Sequence, residues 1–399
     1  MPSDVNPIPH LKHRMADLVV KTAPGMKVTV RQLAHEFWFG TAISSGILSG
    51  NPASADKEKY LAVLKENFNS AVHENAMKWY STERRRGEIN YEEADACLQW
   101  CSNNGLRMRG HCVYWAVDQF AQDWVKKLGD QALRSAVEAR AIDLLTHYRG
   151  KIDEFDVNNE MVHGDFYARR LGDPIRKEMF LWCKEANPDA ILYMNDYGIL
   201  SARDLPKYEQ QIESLLAQGT PIGGIGLQGH FREGVDRDKV KRVLDSLSQF
   251  NLPIRITEFD IKTLDEDAKA RELEALYRTC FEHPSVNGIL MWGFWAKAHW
   301  LSSERWGIDG YTALWDKDWN PMPAARVYRD LVFREWWTRY EGTANRDGIC
   351  EVPVFLGKHR ISAAGAETVI ELSNSGDRKE VDLSAQPGAE GEAINRAPW

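Results

Sequence analysis

The chain has 399 residues, 43% hydrophobic and 27% charged, which is the composition of an ordinary globular protein and excludes a disordered one. Its formal net charge of −8 argues against a nucleic-acid partner, and the short basic run Arg84 to Arg86 is too isolated to reverse that. No apolar stretch approaches the ~20 residues of a membrane span, so no membrane partner is expected.

The first 36 residues precede the long apolar runs. Within them "DLVVKTAPGMKVTVRQL" places apolar segments on either side of Pro24-Gly25, which predicts two strands joined by a turn. Eight strand-like runs follow: "FWFGTAI" (37–43), "SAVHEN" (70–75), "LRMRGHCVYW" (106–115), "EFDVNNE" (154–160), "AILYMNDY" (190–197), "GIGLQGHF" (224–231), "PIRITEFDI" (253–261) and "GILMWGFW" (288–295). Stretches such as "KEKYLAVLKENF" and "DKVKRVLDSLSQFN" separate them with helical apolar spacing. Strands alternating with helices predict a parallel sheet covered on both faces. Eight such units without a dinucleotide fingerprint predict an α/β fold, a closed (β/α)8 TIM barrel over 37–342. Beyond it, "EVPVFLGKHRISAAGAETVIELS" repeats the strand-turn-strand pattern through Val352, Val354, Ile361, Val369 and Ile370. Two strands alone are marginal, so 1–36 and 343–399 are expected to form one small β-module, with a loosely ordered tail from Pro387 to Trp399.

The fourth run raises the question of function. It enters as a strand through Phe155 and Val157 and then ends in Asn158, Asn159 and Glu160, all poor strand formers. The second run ends "HEN", the fifth "NDY", the sixth "QGHF", the seventh "TEFD" and the eighth "WGFW". In a barrel these ends converge on the face where active sites are built, so the recurrence marks a site. Glu160 and Glu258 close strands that lie nearly opposite each other in an eight-membered ring. One protonated and one ionised carboxyl facing each other is what glycosidic cleavage requires. Fifteen tryptophans supply flat faces of the kind that stack on sugar rings. A serine elbow, a phosphate loop, H-E-x-x-H and C-x-x-C are all missing, and neither a metal nor a cofactor is expected.

In combination, "DVNNE", "ITEFD", "RGHCVYW" and "MNDY" resemble glycoside hydrolase family 10, the family of retaining endo-β-1,4-xylanases on TIM barrels. "ENAMKW" (74–79), "GIGLQGHF" and "WGFWAKAHW" (292–300) extend the likeness from about Phe37 to Trp337, and "NNEMVHG" resembles a branch in which some members also act on glucans. The resemblance implies Glu160 as general acid/base and Glu258 as nucleophile. It further implies Asn159 on the sugar 2-hydroxyl, and Gln228 and His230 orienting Glu258 and touching the reacting sugar. By the same resemblance Glu74, Asn75 and Lys78 would line the glycone side, Trp115 would join the substrate-binding set, Trp292 and Trp300 would stack under bound rings, and Tyr197 would face the aglycone.

The implied partner is a polysaccharide, xylan or a related β-glycan, bound by a monomer. No signal-peptide pattern precedes Val5, and a secreted or periplasmic protein is expected, its leader absent from this sequence. Two alternatives accompany this reading: an enzyme for β-glucan or for both polymers, and a catalytically weak barrel that only binds polysaccharide. One departure bears on the choice. The common pattern has a histidine after the third-strand tryptophan, where this chain has Ala116, with Asp118 as the nearest substitute. A methyl group there leaves space for the glucose hydroxymethyl, so relaxed discrimination is expected.

Overall fold

Valine, isoleucine and aromatic residues fill the eight runs, and each run contributes a strand or an interrupted strand to one curled parallel sheet. The structure, a computed structural model, describes residues 9–44, 46–49, 55–232, 234–302 and 313–384. The expected loose tail from Pro387 lies outside the described residues. The chain falls into two units, residues 39–327 and residues 1–38 with 328–399.

The larger unit holds the barrel. Its strands are Trp38–Ile43, Ser70–His73, Arg107–Arg109 with Tyr114–Trp115, Glu154–Asn159, Ile191–Asp196, Gly224–Leu227 with His230–Phe231, Ile254–Ile261 and Val286–Met291. The first strand neighbours the eighth, and sequential strands pair from the fourth through the eighth. The third and sixth strands were expected to be continuous and are each split in two. In the third, Gly110 and Val113 hydrogen-bond to Glu154 and Asp156 of the fourth strand and so close the ring. A side chain at Gly110 would put its Cβ 2.2 Å from the Phe155 ring, so only glycine allows that approach. In the sixth, Gly229 at φ 81° turns the chain between Gln228 and His230.

Strand registers place side chains as well. In the fourth strand Asp156 pairs with Tyr193 and Asn159 with Asn195, three residues against two. In the seventh, Ile256 pairs with Ile289 and Phe259 with Met291, again three against two. One extra residue therefore sits in each strand just where it nears its glutamate. Such an insertion flips the side chains beyond it to the other face. Before it, Glu154 and Asp156 point into the barrel; after it, Asn158 turns outward to Met179 while Asn159 turns inward.

The barrel interior is charged. Arg109 donates to Glu154 at 3.0 Å and to both oxygens of Asp156, and Arg255 reaches Glu154 at 2.9 Å from three strands away. His111 Nδ1 lies 2.8 Å from Asp156 Oδ2. All five side chains are buried. Helices shield the outside; two of them, Arg237–Leu247 and Glu266–Glu282, start on the capping carboxylates Asp236 and Asp265.

The smaller unit is two β-sheets built from both ends of the chain. Met15–Lys21 lies between Ile349–Phe355 and Arg378–Asp382, and Lys27–His35 lies between Arg339–Thr343 and Gly357–Ala363, which also pairs with Ala366–Leu372. Beyond residue 343 the chain thus gives four strands where two were expected, and a further one, Arg339–Thr343, starts within the range expected for the barrel. Leu18, Val20, Val28, Val30, Val352, Val354 and Ile361 fill the core. Ile370 packs against that core, whereas Val369 on the opposite face is exposed, as strand alternation requires. Deleting residues 343–399 would uncover Leu18, Val20, Val28 and Val30. The expected result is a lower melting temperature and poor solubility, read by calorimetry and by the soluble fraction; unchanged melting would contradict it.

Candidate active site

Glu160 sits at the end of the fourth strand in a left-handed conformation, φ 63°, which a non-glycine residue adopts only when its surroundings enforce it. Its N–H donates to Asn195 O at 2.9 Å, and its carbonyl accepts from His163 and Gly164 at 3.1 and 2.8 Å, which makes a tight turn. Gly164 is needed because a Cβ there would lie 2.5 Å from the Ala116 carbonyl. The turn aims the carboxyl at two donors, Trp115 Nε1 at 2.8 Å and Gln228 Nε2 at 2.9 Å.

Glu258 is held by a different set. Asn195 Nδ2 donates to it at 2.9 Å, His230 Nε2 lies 3.3 Å away and His111 Nε2 4.0 Å away. His230 is paired behind with Asp260 at 3.0 Å, and Asp260 also accepts from Trp300 Nε1 at 2.6 Å.

One amide joins the two halves. Asn195 Nδ2 donates to Asn159 Oδ1 at 3.0 Å as well as to Glu258, and its own Oδ1 accepts from the Thr257 hydroxyl at 2.6 Å. Gln228 completes the link with 3.4 Å to Asn159 Oδ1. Asn195 fits only because its sheet partner is Gly226, whose missing side chain would otherwise meet Oδ1 at 2.6 Å.

Protonation separates the carboxyls. Burial pushes Glu160 up to about 7; the Gln228 and Trp115 hydrogen bonds pull it down, while Asp196 and Glu258 repel a second negative charge. Burial would also raise Glu258, but the charge of His111, the hydrogen bond and charge of His230, and Lys78 outweigh it and bring it below the ordinary range. His230, lowered by burial alone, is raised to about 10 by Asp260 and Glu258 and stays cationic. One carboxyl thus keeps its proton near neutrality while the other is ionised.

The remaining expected residues gather around this pair. Lys78 Nζ lies 4.4 Å from the Trp115 ring centre and 5.6 Å from that of Trp292, and donates to Asn75 Oδ1 at 3.1 Å. Burial holds Glu74 at about 7 against the pull of Lys78. Trp292 meets His111 edge-on, and Trp300 packs 5.2 Å from His230. Tyr197 stacks on His163 beside Asp196.

Sequence reasoning gave no role to His111, His163, Thr257, Asp260 or Phe120. It also offered Asp118 in place of the missing histidine, and that is corrected here: Asp118 is exposed and ion-paired with Arg169. The same loop instead lays Phe120 on Trp115, ring centres 3.4 Å apart and planes 15° apart.

Comparison with known proteins bears on the family and the fold. The sequence profile described as "Glycosyl hydrolase family 10" matches residues 29–331. The chain is 40% identical over 304 residues to Endo-1,4-beta-xylanase 1 of Arabidopsis thaliana, covering 72% of this chain and 31% of that one. It is 38% identical over 328 residues to the anti-sigma-I factor RsgI6 of Acetivibrio thermocellus, covering 82% and 41%. It spans less than half the length of either relative. Among solved structures it is similar to native xylanase 10B from Thermotoga maritima, with a TM-score of 0.69 and 26% identity over 75% of this chain and 96% of that one. The chain belongs to glycoside hydrolase family 10, and its larger unit is the TIM barrel of that family.

Asn195 is the position most exposed to test. Asn195→Ala removes one donor each from Asn159 and Glu258 and leaves the buried Thr257 hydroxyl without its acceptor. Losing a hydrogen bond to a charged group costs ~1.5–3 kcal/mol, so kcat/KM on any cleaved substrate should fall about 10–100-fold. Thermal unfolding should show a stability loss of similar size; full activity would mean that the amide holds neither group.

Proposed function

We propose that the protein is a retaining endo-β-1,4-xylanase. The observation that carries this reading is the pair Glu160 and Glu258, buried in one network with their protonation driven in opposite directions. Glu258, ionised, attacks the anomeric carbon while Glu160 gives its proton to the leaving glycosidic oxygen. Glu160, now a carboxylate, takes a proton from water, which cleaves the glycosyl–Glu258 ester and restores both groups. Asn159, Gln228 and His230 lie among the reacting groups, where they contact the sugar bound there. Trp292 and Trp300 offer faces to neighbouring rings, while Trp115, stacked under Phe120, joins the site through Nε1, with Glu74, Asn75 and Lys78 on the glycone side and Tyr197 on the aglycone side. A barrel that only bound polysaccharide would need neither the raised acid nor the ionised nucleophile, and both are intact here. A polymeric substrate fits an enzyme that acts outside the cytoplasm. Among the described residues no helix is long and apolar enough to span a bilayer.

Glu258→Ala should abolish turnover on every substrate. Glu160→Ala should impair xylan far more than an aryl xyloside, whose leaving group barely needs a proton, and azide should rescue it. The rescued product, read by NMR, should be the β-xylosyl azide; an α-azide would exchange the two roles.

Substrate choice rests on the loop after Trp115. Ala116 is buried and its backbone is tied to Asn159 and Phe166, so its methyl leaves no open wall beside the strand. Phe120 covers Trp115 instead, which favours xylan, the polymer that the named plant and bacterial xylanases act on. Phe120→Ala should raise cleavage of mixed-linkage glucan relative to xylan, measured as the ratio of the two kcat/KM values. An unchanged ratio would place the discrimination elsewhere.

A further inference from the structure

His163 is bonded into the site from behind and has no task in the mechanism above. It lies in the turn after Glu160, half-buried, with Nδ1 2.6 Å from Asp196 Oδ1 and Nε2 3.2 Å from Asp204 Oδ2. Its ring stacks on Tyr197, centres 3.7 Å apart and planes 14° apart. Arg203 completes the set: Nε donates to Asp204 Oδ2 at 2.6 Å, and the guanidinium carbon lies 5.6 Å from the Tyr197 ring centre.

Two imidazole nitrogens that each face a carboxylate can both donate only when the ring carries both protons. Burial pushes His163 down, but the bonds and charges of Asp196 and Asp204 outweigh it and hold it above the ordinary histidine range. Asp196 is fully buried and also accepts from Val162 N at 2.7 Å and Tyr197 N at 2.9 Å. It follows Asn195, whose carbonyl holds the Glu160 N–H, and its charge is one of the two that repel an ionised Glu160; Glu258 is the other. The remaining groups on the Glu160 carboxyl, Trp115 and Gln228, are neutral donors.

We propose that His163 is a positioning residue whose positive charge, paired with Asp196, sets the field in which Glu160 holds its proton. This rests on the reading of Glu160 as the general acid. While His163 is charged, it offsets part of the Asp196 charge that faces Glu160. Without it, a buried anion faces the acid alone, and an anion nearby favours the protonated carboxyl. Burial already holds Asp196 above the ordinary carboxylate range against the pull of His163 and of the Val162 and Tyr197 N–H groups. Wherever Asp196 is ionised, removing the histidine charge makes Glu160 keep its proton to higher pH. Asp204 and Arg203 form the outer part of this relay, nearer to solvent and more open to salt screening.

The test is His163→Gln, which keeps one donor and removes the charge. The Glu160 carboxyl is titrated by carbon-13 NMR in wild type and variant, with Glu160→Gln identifying the signal, beside the pH profile of kcat/KM on xylooligosaccharides. The expected result is a Glu160 titration about one pH unit higher, with the alkaline limb of kcat/KM moving up in step. An unmoved or lowered titration overturns the proposal, as does lost activity with both limbs unmoved, which would mark a merely structural role. Should His163→Gln fail to fold, His163→Asn, a shorter amide that also removes the charge, is expected to move the titration the same way, and no movement there overturns the proposal. Nitrogen-15 signals of His163 in the wild type must report the doubly protonated ring at pH 6; a neutral ring overturns it. A moved titration in a protein that does not cleave xylan supports this inference and rejects the xylanase reading, so the two fail separately.

Discussion

Everything at the site depends on one buried amide that makes three bonds at once. Asn195 bonds with Asn159, Glu258 and Thr257 at once, and none of the four is open to water. A buried polar network is stable only when its members satisfy one another, because each orphaned group keeps its full desolvation cost. That requirement fixes neighbours well beyond the amide. Gly226 must lack a side chain so that Oδ1 has room, and Thr257 must present a hydroxyl to it. The fourth strand must also slip by one residue, so that Asn159 and not Asn158 faces inward.

The charges below the site obey the same logic at higher stakes. Arg109 and Arg255 face Glu154 and Asp156 inside the barrel, where an unpaired charge would cost several kcal/mol. Completed as a lattice, they fill a barrel interior that branched apolar side chains usually fill. They also reach the chemistry. Asp156 holds His111 Nδ1, and the other nitrogen of that ring points at Glu258, whose ionised form it favours. Glu258 is therefore kept ionised partly by a carboxylate on the strand of Glu160, acting through an imidazole.

How much of this the sequence reveals depends on what kind of information each feature needs. The eight strands and the two glutamates are legible because a polar run at a strand end stands out against an apolar period, and it recurs. The charged interior is visible too, in "RMRG", "EFDV" and "IRIT", but only as charges out of place; which charge meets which needs the ring closed. The register slips leave no mark in composition, since one inserted residue changes parity and nothing else. "RYEGT" and "RKEVD" do not read as strands because they are edge strands with mostly solvated side chains, where the apolar alternation fades. Phe120 sits in an aperiodic loop, so its stacking on Trp115 could not be read ahead of the structure.

The parallel slips explain why the glutamates end up different. Both strands add one residue near their carboxyl, so both side chains leave the regular pleat, but they leave it into unlike surroundings. Glu160 continues into a left-handed turn and meets two neutral donors, with Asp196 and Glu258 as its charged neighbours. Glu258 stays within its strand and meets two imidazoles and an amide. Burial alone would raise both carboxyls together and leave no base between them. What parts them is the sign of the nearest charge, anionic around Glu160 and cationic around Glu258. The fold sets that sign by choosing which strand end turns and which runs on.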